Sequence, residues 1–93
     1  MSEYVTVETQ PTDNPDILEF ITNQRIALEG DEVYEDFEAG DEGSPIAQML
    51  FNGVRGIQAL TITGGNLLIT RDPDVPWEEI VDEVRDALRD FFL

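Results

Sequence analysis

Carboxylates are the one reactive group this chain holds in quantity: twenty-one Asp and Glu stand against five arginines, and cysteine, histidine and lysine do not occur. The inventory removes nucleophilic thiols, an imidazole base, a Schiff-base lysine, zinc sites and thiolate-held clusters. Carboxylates can still hold a hard cation or work in pairs on a glycosidic bond. Residues 29–42 hold eight acids, and Asp31, Glu32, Glu35 and Asp36 are the candidates there for a cation such as an iron ion. The competing reading is a solvated acidic loop, since the segment lacks the ligand spacing of an EF-hand. Glycosidic chemistry needs a sugar cleft for which ninety-three residues leave little room. The hydroxyls of Ser44 and the threonines have no base to activate them, so no enzymatic activity is expected. Gly64-Gly65 reads as a hairpin turn rather than a phosphate nest.

One segment is specified more closely than a connection needs. Gln10-Pro11-Thr12-Asp13-Asn14-Pro15-Asp16 carries two prolines and an Asn-Pro step, which make a stiff turn. A loop held on a rigid scaffold is a common place for contact with a partner; a purely structural turn is the alternative. The candidate contact residues are Gln10, Pro11, Thr12, Asn14 and Pro15.

The elements that must position these groups follow from periodicity. Residues 4–9 alternate and are rich in β-branched side chains, with Val5 and Val7 on one face. Ile17–Ile21 resumes a strand with Leu18 and Phe20 sharing a face, so the first two strands form an antiparallel pair. Residues 32–37 form a short edge strand, with loop around it. Ser44 and Pro45 suit the N-cap and first position of a helix that carries Ile46, Met49 and Leu50 and stops at Gly53. Leu60–Thr63 and Leu67–Thr70 flank Gly64-Gly65-Asn66 as a hairpin. In the last helix Trp77, Ile80, Val81, Val84, Leu88 and Phe91 form one apolar stripe, with Glu78 and Glu79 at its start and Arg85 and Arg89 near its end, each favourable to the helix dipole. The order predicts a single α+β domain over residues 1–93. An antiparallel sheet of about four strands, ββαββα with a possible extra edge strand, carries two helices on one face.

The apolar fraction of 41% supports one core, and the formal charge of −16 needs its own explanation. Such a surface repels nucleic acid and anionic lipid, and no apolar run approaches the roughly 20 residues that span a bilayer. Met1-Ser2-Glu3-Tyr4 has no secretory character, so a cytoplasmic location is expected. Acids without lysine fit a salt-adapted cytoplasm, because at about 1 M salt the screening length falls to about 3 Å. A coincidentally acidic domain is the other reading.

The order of short motifs resembles a known family. Thr9-Gln10-Pro11-Thr12-Asp13-Asn14-Pro15 followed by Leu18-Glu19-Phe20 resembles the opening of the N-terminal domain of Nfu/NifU-type iron–sulfur scaffold proteins. Gly43-Ser44-Pro45-Ile46-Ala47 with Leu50-Phe51 is similar to that family's G-S-P-L-A helix opening and L-F. Gly56-Ile57 resembles its G-V, and Leu67-Leu68-Ile69-Thr70, an acidic turn, Val75 and Trp77 resemble its F-I-T-V and D-W helix start. The likeness runs from about residue 5 to residue 92. Asp13 replaces a loop proline and Glu19 a lysine, and one residue is added between Phe51 and Gly56.

The resemblance implies a role in iron–sulfur cluster assembly. It also implies that the family's cluster-binding C-x-x-C belongs to a separate domain, which this chain ends before reaching. The chain is therefore expected to be an accessory, non-catalytic domain that ligates no cluster and binds a protein of that pathway, such as a separate C-x-x-C domain. Weak iron binding by the surface carboxylates is the alternative, with no other cofactor expected.

Overall fold

The computed structural model describes residues 5–27 and 30–92. Tyr4, with which the predicted first strand opens, and Glu29, which heads the acidic segment, lie outside the described residues. In chain order the elements are β1 (Val7–Pro11), β2 (Ile17–Thr22), β3 (Glu32–Tyr34), α1 (Phe37–Asp41), α2 (Pro45–Gly53), β4 (Ile57–Thr63), β5 (Asn66–Arg71) and α3 (Trp77–Phe91). The strands form one antiparallel sheet in the order β1-β2-β5-β4-β3. The α+β class with its antiparallel sheet is as predicted, and the extra edge strand makes a fifth member.

Beyond the earlier start of β4, at Ile57 rather than Leu60, three differences from the sequence reading bear on the site. β1 runs to Pro11, so Gln10 and Pro11 belong to a strand and not to the turn; they pair with Glu19 and Leu18. A proline is tolerated there because β1 is an edge. The Thr6 N–H donates to Asn23 Oδ1, and the Thr6 carbonyl accepts the Asn23 N–H. By antiparallel alternation Val7, Thr9 and Pro11 then turn their backbone polar groups outward. Arg85 Nη2 donates to the Val7 carbonyl from that outer side at 3.2 Å.

The second difference is that the edge strand stops at Tyr34 rather than continuing to residue 37. The third is α1, where only loop was expected. Asp36 caps it by accepting the Ala39 N–H at 2.8 Å, and Glu38 sits in its first turn. With five residues and a glycine inside it, this helix has too little periodicity to be read from sequence.

The β4–β5 hairpin closes on Gly64-Gly65, with Thr63 opposite Asn66. Gly64 has φ +59, the left-handed value that the first position of a two-residue II′ turn requires. Its carbonyl accepts the Ile26 and Ala27 N–H groups at 2.9 Å each, and the Gly65 carbonyl accepts the Thr22 hydroxyl at 2.6 Å. The hairpin tip thereby anchors the chain leaving β2.

The helices lie on one side of the sheet. Phe20, Leu60, Ile62, Leu67 and Ile69 turn inward and meet Leu50 of α2 and Ile80, Val84 and Leu88 of α3, all fully or almost fully buried. Burial of this kind contributes about 25 cal/mol per Å2, and it holds the short helix α2, whose propensity alone would not. The α3 stripe is buried at its centre, whereas Phe91 at its end is 42% exposed and packs edge-on against Phe92. Among the described residues no helix lies on the other side of the sheet. There β3, β4 and β5 present Val33, then Ala59, Thr61 and Thr63, then Asn66, Leu68 and Thr70, while β2 and β1 add Ile17, Glu19, Ile21, Glu8 and Gln10. Among the described residues no helix is long and apolar enough to cross a membrane.

Candidate functional site

The Thr12–Asp16 turn is built from its own side chains. Thr12 Oγ1 lies 2.9 Å from the Ile17 carbonyl and 3.0 Å from the Asn14 carbonyl, two acceptors for one hydroxyl proton, and it accepts the Asn14 N–H at 3.2 Å. Asn14 Oδ1 accepts the Asp16 N–H at 2.9 Å, and the Asn14 carbonyl accepts the Ile17 N–H at 3.0 Å. These are the local side-chain-to-backbone bonds for which Thr and Asn are favoured in turns.

Three long-range ties then fasten the turn to the body of the fold. Trp77 Nε1 donates to the Pro15 carbonyl at 2.8 Å. Arg71 Nε donates to Asp16 Oδ1 at 3.2 Å, and the Arg71 N–H donates to the Asp16 carbonyl at 2.9 Å. The Arg71 guanidinium also lies 5.3 Å from the centre of the Trp77 ring and donates to the Val75 carbonyl at 3.3 Å. Trp77 in turn packs 6.3 Å from Phe20, at a tilt of 55°. The Arg71 side chain is only 20% exposed and that of Asp16 is 38% exposed, so this pair is better shielded than an ordinary surface salt bridge.

The five predicted contact residues divide accordingly. Thr12 is half-buried, with its hydroxyl spent on the turn, and the Asn14 side chain serves the turn as well. Gln10, Pro11 and Pro15 are exposed. Pro11 also lines a shallow groove of ≈ 630 Å3 between the β1–β2 pair and α3, whose other walls include Leu18, Trp77, Val81 and Arg85. Arg71, Asp16, Val81 and Arg85 are not among the predicted site residues, and the sequence places Trp77 only in the apolar stripe of the last helix. The signal for Trp77 was its indole N–H, which needs an acceptor when the ring is partly buried.

The four cation candidates are not brought together. Asp31 and Glu35 are exposed at the two ends of β3. Asp36 is occupied as the cap of α1, and the Glu32 carboxylate accepts the Tyr34 hydroxyl. Among the described residues no three acidic side chains converge as a metal site. Ser44 and Pro45 occupy the N-cap and first position of α2.

Residues 7–93 match the family model described as scaffold protein Nfu/NifU N terminal. The mitochondrial NFU1 iron-sulfur cluster scaffold homologs of Drosophila ananassae and Drosophila persimilis are each 32% identical to the chain over 88 residues, which are 92% of this chain and 30% of each relative. The chain thus spans less than a third of the length of these curated relatives. Among solved structures, the solution NMR structure of a NifU-like protein from Saccharomyces cerevisiae superposes with a TM-score of 0.77 at 25% identity, covering 94% of this chain and 77% of that one. A crystal structure of a Staphylococcus aureus protein, at 12% identity, shares the fold with a TM-score of 0.72 over 92% of this chain and 99% of that one.

Proposed function

The chain belongs to the Nfu/NifU N-terminal scaffold family, and from that membership we propose that it is an accessory domain of iron–sulfur cluster assembly that binds a protein partner without catalysis and without ligating the cluster. The observation that carries this reading is the turn fastened by Trp77 and Arg71, which leaves Pro15 exposed and Pro11 on the groove along α3, with Gln10 exposed on the other face of the same strand. Ordering the loop in advance lowers the entropy that binding would otherwise cost. With no thiolate in the sequence, the cluster's ligands come from elsewhere. The partner proposed is a C-x-x-C domain of the same family or a client of the pathway, met in the cytoplasm.

The sole tryptophan, Trp77, lies in this surface and reports on it. Titrating a purified C-x-x-C domain at high KCl should change its emission saturably, and Pro11→Asp should abolish the change. No change in emission and no amide shift in residues 10–16, with that partner or in a high-salt extract containing cluster-assembly proteins, would sink the proposal. Cell fractionation tests the compartment, because the Drosophila relatives are described as mitochondrial.

A further inference from the structure

The face of the sheet that carries no helix is chemically unlike the rest of this surface. Val33, Thr61, Leu68 and Glu19 stand directly opposite one another in sequence across β3, β4, β5 and β2. Val33 is 63% exposed and Leu68 40% exposed, two of the four large hydrophobic side chains that the described residues leave in water. Nothing that β3, β4 and β5 present on this side is charged. Twenty-one of ninety-three residues are acidic, and α3 alone exposes Glu78, Glu79, Asp82, Asp86 and Asp90. A strip free of charge through the middle of such a surface is what contact with another molecule's apolar side chains requires.

The border of the strip has one sign. Glu8 and Glu19 flank it on the β1–β2 side, and Asp31 and Glu35 flank it at the two ends of β3. Every arginine is turned elsewhere. Arg55 faces Glu79, Arg71 faces Asp16 and Trp77, Arg85 reaches Val7, Arg89 faces Asp86, and Arg25 lines a pocket beside Ser44 and Phe92 on the helix side. A second copy of the chain would set carboxylate against carboxylate around the same contact.

We propose that the open face over β3, β4 and β5 is a second docking surface, and that its occupant is an amphipathic protein helix whose apolar stripe is flanked by Lys and Arg. Val33 and Leu68 receive the stripe, and Glu8, Glu19, Asp31 and Glu35 meet the basic flanks. The apolar centre supplies affinity that survives salt, and the rim selects the sign of the partner. This surface lies across the sheet from the α3 groove, so the two sites succeed or fail separately.

The test is an NMR titration of the isotope-labelled chain, in KCl at which it is folded, with two synthetic amphipathic peptides of about 20 residues. Both carry the same leucine stripe, one flanked by Arg and Lys and the other by Glu. The basic peptide should bind saturably, with amide shifts centred on Val33, Thr61 and Leu68, and the acidic one should bind more weakly, by a margin that narrows as KCl is raised. Leu68→Arg should weaken binding at least about tenfold, equivalent to about 1.4 kcal/mol. It places a cation opposite Glu19, which keeps the sheet intact, and a circular dichroism melt checks this. Val33→Thr, which keeps the β-branched shape, should weaken binding measurably. Four results would overturn the proposal: shifts confined to the carboxylates of α3, equal binding of both peptides, no loss on Leu68→Arg, or a concentration-dependent dimer formed through this face without peptide.

Discussion

Replacing Trp77 by phenylalanine tests whether the Thr12–Asp16 turn is held from a distance. The substitution keeps an aromatic ring against Phe20 and under Arg71 but removes the indole N–H that donates to Pro15. A hydrogen bond of this kind contributes a net of about 0.5–1.5 kcal/mol. The weaker face of phenylalanine forfeits part of a cation–π contact worth about 0.5–1 kcal/mol at an exposed site. Together the loss is about 1–2 kcal/mol, and at roughly 4–8 °C per kcal/mol for a domain of this size the melting temperature should fall by roughly 4–16 °C. Circular dichroism measures the melt. Amide exchange should show the Asp16 and Ile17 N–H groups, both bonded to Asn14, exchanging faster than in the parent chain. Combining the substitution with Asp16→Asn should give less than the sum of the two effects, because both release the same turn. If melting and turn protection are both unchanged, the turn stands on its local bonds alone, and the argument for a pre-ordered site fails with it.

Three further outcomes are expected. Gly56→Ala should lower the urea midpoint clearly: φ there is +97, and the new methyl group would lie 2.9 Å from the buried Val75 side chain, so strain and overpacking of about 1–3 kcal/mol each apply. If the charge reflects adaptation to salt, the melting temperature should rise steeply between low and multimolar KCl, and a flat profile would discard that reading. Calorimetric titration with ferrous or ferric iron at high salt should give only weak heats that magnesium removes, because Asp31, Glu32, Glu35 and Asp36 do not converge. Saturable binding that resists magnesium and is lost when those four are neutralised would favour the iron reading instead.

What could be read from the chain was what lies close together along it. The hairpin at Gly64-Gly65, the cap of α2 at Ser44-Pro45 and the stripe of α3 are each written within a few residues, and each stands where its local pattern placed it. The family likeness was legible for the same reason, as short motifs in order. The fastening of the turn was not, because Pro15 and Trp77 are 62 residues apart and Asp16 and Arg71 are 55 apart. No periodicity connects such pairs; only the antiparallel placement of β2 beside β5 does. Helix α1 escaped notice for the opposite reason, being too short for a pattern and lying in a run of acids that reads equally well as loop. Pro11 misled as a turn marker because its strand is an edge, where a missing donor costs nothing.

That edge bears on how the protein stays dispersed. A highly charged chain is ordinarily kept apart from its neighbours by repulsion, but salt shortens the reach of that repulsion to a few ångströms. In concentrated salt, strand-to-strand pairing must be prevented by something other than charge. Along the outer side of β1, Pro11 offers no N–H and the Val7 carbonyl is already taken by Arg85. Thr9 is left between two positions at which an incoming strand cannot continue its ladder. The proline contributes this by covalent structure, so it is as effective in brine as in dilute buffer.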